Sequence, residues 1–372
     1  MTTSHALRTA AAVLATLTLA GAAQAASPRS TLTATADAAI AAGVPGISIF
    51  VRDGSHTTVI ARGYADAAAK RPLTTSDRFR IGSVTKSFVA TVVMQLVSEG
   101  SLSLDDSIDQ YLPGLVPNAS AITIRQLLSH TSGLPDYFSN KKIIAPYFGG
   151  NHRYTWSHEQ IVRISAKDKP VFEPGAAGRW SYSNTAYYTL GLIVEQVTGT
   201  SLESELARRI FRPLGLRNTT LPTTAQIPGR HAHGYSKYFG KLADVTTFSP
   251  SIIWAAGGIV STPSDVAAFY RALLQGRLLP ISLVHEMTTK VALIAGPSHP
   301  KLVYGLGLYS QPLSCGTSWG HNGDFAGYHM DAFNSPDGKR QVIVSVNEDA
   351  DLTIPPAAGA PLRKLLEQAF CG

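Results

Sequence analysis

Cysteine is scarce in this 372-residue chain: there are two, Cys315 and Cys371. A disulfide-dense small scaffold and a cysteine-rich zinc module are both excluded. Histidine offers no substitute, because His231 and His233 stand two apart in a loop with no acidic or cysteine ligands at a metal-binding spacing. Neither a metal nor any other cofactor is expected. Charge is sparse as well. Charged residues make up 15% of the chain against 44% hydrophobic, a balance that supplies a core and rules out a disordered chain. Lys and Arg outnumber Asp and Glu by 32 to 25 but are scattered, with no basic run beyond short pairs such as Lys141-Lys142. No nucleic-acid partner is expected. Beyond the N-terminal stretch no apolar run approaches the roughly 20 residues that span a bilayer, so no transmembrane segment is expected.

What is present begins with an export signal. Arg8 supplies a positive start, Thr9 to Ala20 is apolar and small, and Ala23-Gln24-Ala25 is an A-x-A cleavage site. Residues 1–25 read as a signal peptide cleaved after Ala25, which makes the mature protein secreted. About 347 residues then remain, enough for one large or two intimately packed domains. Export favours joining Cys315 to Cys371, closing a loop of roughly 57 residues worth about 4 kcal/mol of chain entropy. Two buried free thiols are the alternative.

A helix is expected near Ser30 to Ala42, then β-branched stretches at Ile47–Val51 and Thr57–Tyr64 around Asp53-Gly54, a hairpin signature. In the helix opening at Ser83, Phe88, Val92, Val93, Leu96 and Val97 recur at helical spacing until Gly100. From Ser101 to Phe248 the pattern is mainly helical: Ile124–Leu128, Ser157–Ser165, Asn184–Val197 and Leu202–Ile210. A further helix follows Pro263. Val303–Tyr309, Thr317–Gly320, Gly327–Phe333 and Arg340–Val346 read as strands, and Pro361 to Phe370 closes as a helix. The fold class expected is mixed α/β of the α+β type: a mainly antiparallel sheet built from both chain ends and flanked by helices, with an inserted, mostly helical domain. The division would be 26–80 with 255–372 for the sheet and 81–254 for the helical part, which carries Ser83.

Three motifs carry chemistry. In Ser83-Val84-Thr85-Lys86 the spacing of three sets Lys86 one helical turn from Ser83. A serine needs a base within hydrogen-bond reach, and a lysine serves only if its pKa is depressed. Tyr182-Ser183-Asn184 precedes a periodic helix; a phenol with its pKa lowered beside a lysine can pass protons to and from a serine. His321-Asn322-Gly323 follows a β-prone run, where glycine would let a substrate backbone lie against an edge strand. Alone, each is compatible with a capped helix, a packing aromatic or an ordinary loop. Their order along the chain fits a cleft between sheet and helices.

In these motifs the chain resembles the penicillin-recognising serine hydrolases, in the branch holding class C β-lactamases, exocellular DD-peptidases of actinomycetes, and related esterases and D-aminopeptidases. "IGSVTKSFVA", "YLPGL", "LLSHTSGL", "SNTAYY", "YGLGL", "SCG" and "AFCG" look most like the exocellular D-alanyl-D-alanine carboxypeptidases. The resemblance implies a β-lactamase/transpeptidase-like fold, Ser83 as acylated nucleophile, and Lys86 and Tyr182 as proton-transfer groups. It further implies Asn184 as a contact to the substrate amide, His321, Asn322, Gly323 and Asp324 along the cleft, and an oxyanion hole from the amides of Ser83 and Asp324. Trp254 looks like the family's cleft aromatic, with core packing as the alternative, and the cysteines match a disulfide of that group. The "SHTSGL" stretch at Ser129 reads as a structural loop whose polar groups satisfy one another.

Departures bear on substrate. The exocellular peptidases hold a terminal carboxylate with an arginine after "YGLGL" and threonines flanking the glycine of the third motif; this chain has Tyr309, Asn322 and Asp324. Losing a charge-assisted partner weakens carboxylate binding by about 1.5–3 kcal/mol, unless Lys339, Arg340 or another cation compensates. The expectation is a monomeric, secreted, acyl-enzyme-forming serine hydrolase acting on a small peptide, amide, ester or β-lactam. D-Ala-D-Ala ends of peptidoglycan fragments or D-amino-acid amides come first. An esterase, amidase or β-lactamase of the same fold follows. A non-catalytic penicillin-binding envelope protein is the reading from another class, against which intact Ser83, Lys86 and Tyr182 stand.

Overall fold

A computed structural model describes residues 28–238, 241–289, 292–294, 302–349, 367–368 and 370–371. The expected signal peptide and its cleavage site lie outside the described residues, as does most of the expected C-terminal helix. Among the described residues no helix is long and apolar enough to cross a membrane.

The centre is an antiparallel nine-stranded sheet. Its strands are β1 (Gly46–Asp53), β2 (His56–Asp66), β3 (Arg71–Pro72), β4 (Ala292–Ile294), β5 (Leu302–Tyr304), β6 (Tyr309–Leu313), β7 (Gly316–Asp324), β8 (His329–Asn334) and β9 (Arg340–Val346), in the order β3-β2-β1-β9-β8-β7-β6-β5-β4. Strands from the two chain ends thus meet where β1 pairs with β9, from Ile47 opposite Val346 to Asp53 opposite Arg340. Period-two alternation divides the apolar side chains between the two faces. Ile47, Ile49, Val342, Val344 and Val346 pack with Leu32, Ala36 and Ala39 of helix α1 (Pro28–Ala41). Phe50, Ile343, Met330 and Ala332 face the larger core.

That core surrounds α2 (Thr85–Ser98), in which Phe88, Val89, Val92, Val93, Met94 and Leu96 are all buried. A helix apolar all round belongs at the centre of a protein, and each such side chain stabilises by roughly 1.5–3 kcal/mol on burial. Helix α3 (Asn184–Thr198) packs beside it, started by Ser183, whose hydroxyl accepts from the Ala186 amide, and stopped at Gly199 in the left-handed region.

The structure departs from the sequence reading in four places. Ser83 lies in a 3-10 turn, Gly82–Val84, that runs into α2 rather than in the α-helix itself. The single strand expected over Val303–Tyr309 is two, because Gly307 takes φ +77° and the Gly305 amide donates to the Leu308 carbonyl, closing a turn. The helical middle contains a hairpin, Tyr235–Tyr238 with Lys241–Asp244. The strand expected over Thr317–Gly320 extends to Asp324 and so carries the whole His-Asn-Gly motif. Cys315, in the turn before β7, is disulfide-bonded to Cys371.

Candidate active site

Two glycines bring the Gly82–Val84 turn that carries Ser83 against the sheet. Gly82 has φ +50°, and a β-carbon there would stand 2.6 Å from the Asp324 amide nitrogen; one on Gly323 would stand 2.1 Å from the Ile81 carbonyl oxygen and 2.6 Å from the Ser83 amide nitrogen. The missing side chain of Gly323 therefore makes room for the Gly82–Val84 turn, not for the substrate backbone expected there. The same contact places two amides side by side. Phe325 and Tyr328 exchange both backbone hydrogen bonds, so the next pair, Asp324 opposite His329, is a non-hydrogen-bonded one. The Asp324 amide consequently points away from β8, on a stretch of β7 beyond its last β6 pairing at Gly320.

Around Ser83 Oγ stand the two other expected groups. Lys86 Nζ lies 3.0 Å away and Tyr182 donates its hydroxyl to Oγ at 2.7 Å. Lys86 is fully buried, and its Nζ also lies 2.7 Å from both Asn184 Oδ1 and the Ala256 carbonyl oxygen. Burial drives the Lys86 pKa from 10.5 down to about 7, with the Asp136 carboxylate acting the other way. At neutral pH the free amine is accessible. Asn184 Oδ1 and the Ala256 carbonyl can only accept, so they take the two N–H bonds of that amine and leave its lone pair toward the Ser83 hydroxyl. The Asn184 amide orientation is fixed by Asp136, whose carboxylate oxygens accept from Nδ2 at 3.0 and 3.2 Å.

Tyr182 corrects one expectation. Lys86 Nζ does sit 4.7 Å from its ring centroid, yet the phenol is raised well above 10, by burial first and then by Asp136, Tyr187 and Asp324, against its bond to Ser83. It is a proton donor to Ser83, not a phenolate.

His321 also differs from expectation: it is 2% exposed and lies behind Tyr182, with ring centroids 6.4 Å apart, rather than in the cleft wall. Its Nδ1 is 2.5 Å from the Asn322 carbonyl and its Nε2 3.1 Å from Tyr304 Oη, which is also 3.1 Å from His130 Nε2. Because His130 Nδ1 accepts from the Ser183 amide, the tautomers follow: His130 Nε2–H donates to Tyr304, Tyr304 donates to His321 Nε2, and His321 Nδ1–H donates to Asn322. Burial keeps both rings neutral, pushing His321 down to about 3. The "SHTSGL" loop thus joins this chain through His130, while Ser129 bonds Thr131 and the Arg125 carbonyl.

Trp254 is a core residue. It is 2% exposed, stacked on His158 at 3.6 Å, with its indole N–H donating to Glu203; Gly191 of α3 leaves space for its ring. The cleft over Ser83 encloses about 310 Å³, with Asn322, Gly323 and Asp324 along one side and Tyr137, Phe138 and Phe325 supplying an aromatic wall. Tyr309 is not part of it, lying edge-on to His321 and Phe333. Among the described residues that line the cleft there is no lysine or arginine. Lys339 and Arg340 do not compensate, because they sit at the opposite end of β8, where Lys339 faces Asp337 and Arg340 donates to the Phe370 carbonyl. Asp136, Tyr304, the Ala256 carbonyl and the Phe138–Phe325 wall went unread in the sequence. Only Asp136 left a signal, as a capping residue after Pro135 in "LPDYF".

The family model of Beta-lactamase matches residues 30–360. The chain is 30% identical over 311 residues to "Penicillin-binding protein 4*" of Bacillus subtilis (strain 168), covering 78% of this chain and 65% of that protein. It is 28% identical over 316 residues to a D-aminopeptidase of Cereibacter sphaeroides, covering 83% of this chain and 57% of that protein. It therefore spans less than two thirds of the length of these two relatives. The crystal structure of a D-stereospecific amidohydrolase from Streptomyces sp. superposes with a TM-score of 0.82 at 38% identity, covering 92% of this chain and 99% of that one.

Proposed function

The chain belongs to the Beta-lactamase family and is a serine hydrolase of that fold, and from that premise we propose that it releases D-amino acids from their amides by way of an acyl-enzyme at Ser83. The observation that carries this reading is the Lys86 amine, with Asn184 and Ala256 occupying its two N–H bonds and Ser83 facing its lone pair. Lys86 takes the Ser83 proton as Oγ attacks the substrate carbonyl, and the Ser83 and Asp324 amides hold the oxyanion. Tyr182 gives its proton to the departing nitrogen and recovers one from Lys86. Water then attacks the ester, its proton passes to the Lys86–Tyr182 pair, and Ser83 leaves with a proton restored. Each proton transfer of this kind contributes about 10²–10⁴-fold.

Kinship to a D-aminopeptidase and a D-stereospecific amidohydrolase, together with an aromatic wall and, among the described residues lining the cleft, no lysine or arginine to meet a carboxylate, favours amides over D-Ala-D-Ala peptides. Carboxypeptidase action is the second reading, favoured by the likeness to a penicillin-binding protein. Residues 26–80 with 255–372 would form the sheet lobe and 81–254 the helical lobe. The Cys315–Cys371 bridge supports export. The test is ammonia release from D-phenylalanine amide beside D-alanine release from a diacetyl-Lys-D-Ala-D-Ala peptide, each with Ser83→Ala as control. Turnover of the amide that vanishes in Ser83→Ala is expected. Turnover of the peptide alone would establish the second reading instead.

A further inference from the structure

Asp324 does more than line the cleft. On one face of the β7–β8 hairpin, His329 Nδ1 lies 2.7 Å from Asp324 Oδ1 and His329 Nε2 lies 3.1 Å from Asp331 Oδ2. The His329 side chain is 9% exposed and that of Asp324 25%. Against burial, which favours the neutral ring, the two carboxylates hold His329 protonated well above the usual histidine range. One imidazolium between two carboxylates leaves one negative charge, and Asp324 is among the residues that line the cleft. The field of Asp324 reaches Tyr182 and is among the causes raising that phenol.

We infer that the Asp324 carboxylate is the anchor for the α-ammonium of an N-unblocked substrate, with His329 as the positioning residue that orients it; this rests on the D-amino-acid amide reading above. The same residue presents an oxyanion amide and a carboxylate, separated along N–Cα–Cβ–Cγ. An α-amino acid amide presents a carbonyl oxygen and an ammonium, separated along O–C–Cα–N. In the pose we infer, the carbonyl oxygen docks on the Asp324 amide and the ammonium on the Asp324 carboxylate. A carboxylate in the same place meets a like charge. The apolar side chain is left for the Phe138–Phe325 wall, and an N-acylated substrate loses the ion pair, a difference of about 10- to 100-fold.

The experiment compares kcat/KM for D-phenylalanine amide with N-acetyl-D-phenylalanine amide, and for D-phenylalanine methyl ester with its N-acetyl form. Wild type, Asp324→Asn, Asp324→Thr and His329→Asn are each checked by thermal melting. The wild type is expected to prefer the free amine in both pairs, and the preference to fall about 10- to 100-fold in the Asp324 variants and less in His329→Asn. A preference that stays within about twofold of wild type in the folded Asp324 variants, or its absence from the wild type, overturns the inference. Loss of amide turnover with esters still cleaved would sink the amidase reading alone, because the ester pair reports on Asp324 independently.

Discussion

The Asn184 side-chain oxygen lies 2.7 Å from Lys86 Nζ. Through the other end of the same carboxamide, at 3.0 Å, the Asp136 carboxylate is tied to the proposed base without touching it. The amide fixes which protons Lys86 can give, and the carboxylate moderates how far burial lowers its pKa.

Asp136→Asn should therefore shift the pH profile. In the proposed mechanism Lys86 acts as the free amine, so acylation should rise as pH climbs through about 7. Removing a carboxylate that raises this pKa moves the limb to lower pH, by about one unit. A profile of kcat/KM between pH 5 and 9 checks it, and a limb that stays in place or moves up contradicts the coupling.

Tyr182→Phe should separate substrates by leaving group. Amide hydrolysis should fall about 10²–10⁴-fold, because the departing nitrogen loses its proton donor. A nitrophenyl ester, whose leaving group needs no proton, should suffer far less. Equal losses on both would assign Tyr182 to activating Ser83 instead.

Gly323→Ala should act on the oxyanion hole through the backbone. A β-carbon 2.1 Å from the Ile81 carbonyl oxygen forces β7 away from the nucleophile turn, so kcat should fall about 10²–10³-fold, with about 1–3 kcal/mol lost from stability. Kinetics beside a denaturant titration measure both.

Trp254→Phe should do the reverse. Stacked on His158 and shut off from the cleft, the indole contributes to the core alone. Stability should drop by about 1–3 kcal/mol while kcat and KM hold. A raised KM would return Trp254 to the cleft.

Acid should release one buried carboxylate. Against the upward push of burial, Arg208, Arg209 and Thr200 hold Glu205 down at about 2, from an ordinary 4.5. The depressed pKa means the stabilisation is complete above 4.5 and is lost as pH falls toward 2, roughly 3 kcal/mol in all. The Tm gap between wild type and Glu205→Gln should be widest at neutral pH and shrink across that window. A gap independent of pH would contradict it.

What the sequence by itself determined is what local rules govern. The 3.6-residue period of α2 and α3, the two-residue period of β1 and β9, the Asp53-Gly54 turn and the spacing of Ser83 from Lys86 all follow from propensities acting over a few residues. Those rules delivered the sheet from both chain ends and set Lys86 one helical turn from Ser83, while the roles expected of Ser83, Lys86 and Tyr182 came from the resemblance of their motifs to a known family. Tertiary structure alone decided what depends on burial and on contacts between distant segments. It brought the Lys86 pKa down toward neutrality, kept Tyr182 a phenol, sent Trp254 and His321 behind the cleft, and turned the absent side chain of Gly323 toward Ile81. It also brought Asp136, Tyr304 and Ala256 to a site that no spacing connects. A pKa, a facing direction or a shared cleft is set by whatever the rest of the chain packs around a residue, which is why motifs could name the chemistry and only packing could place it.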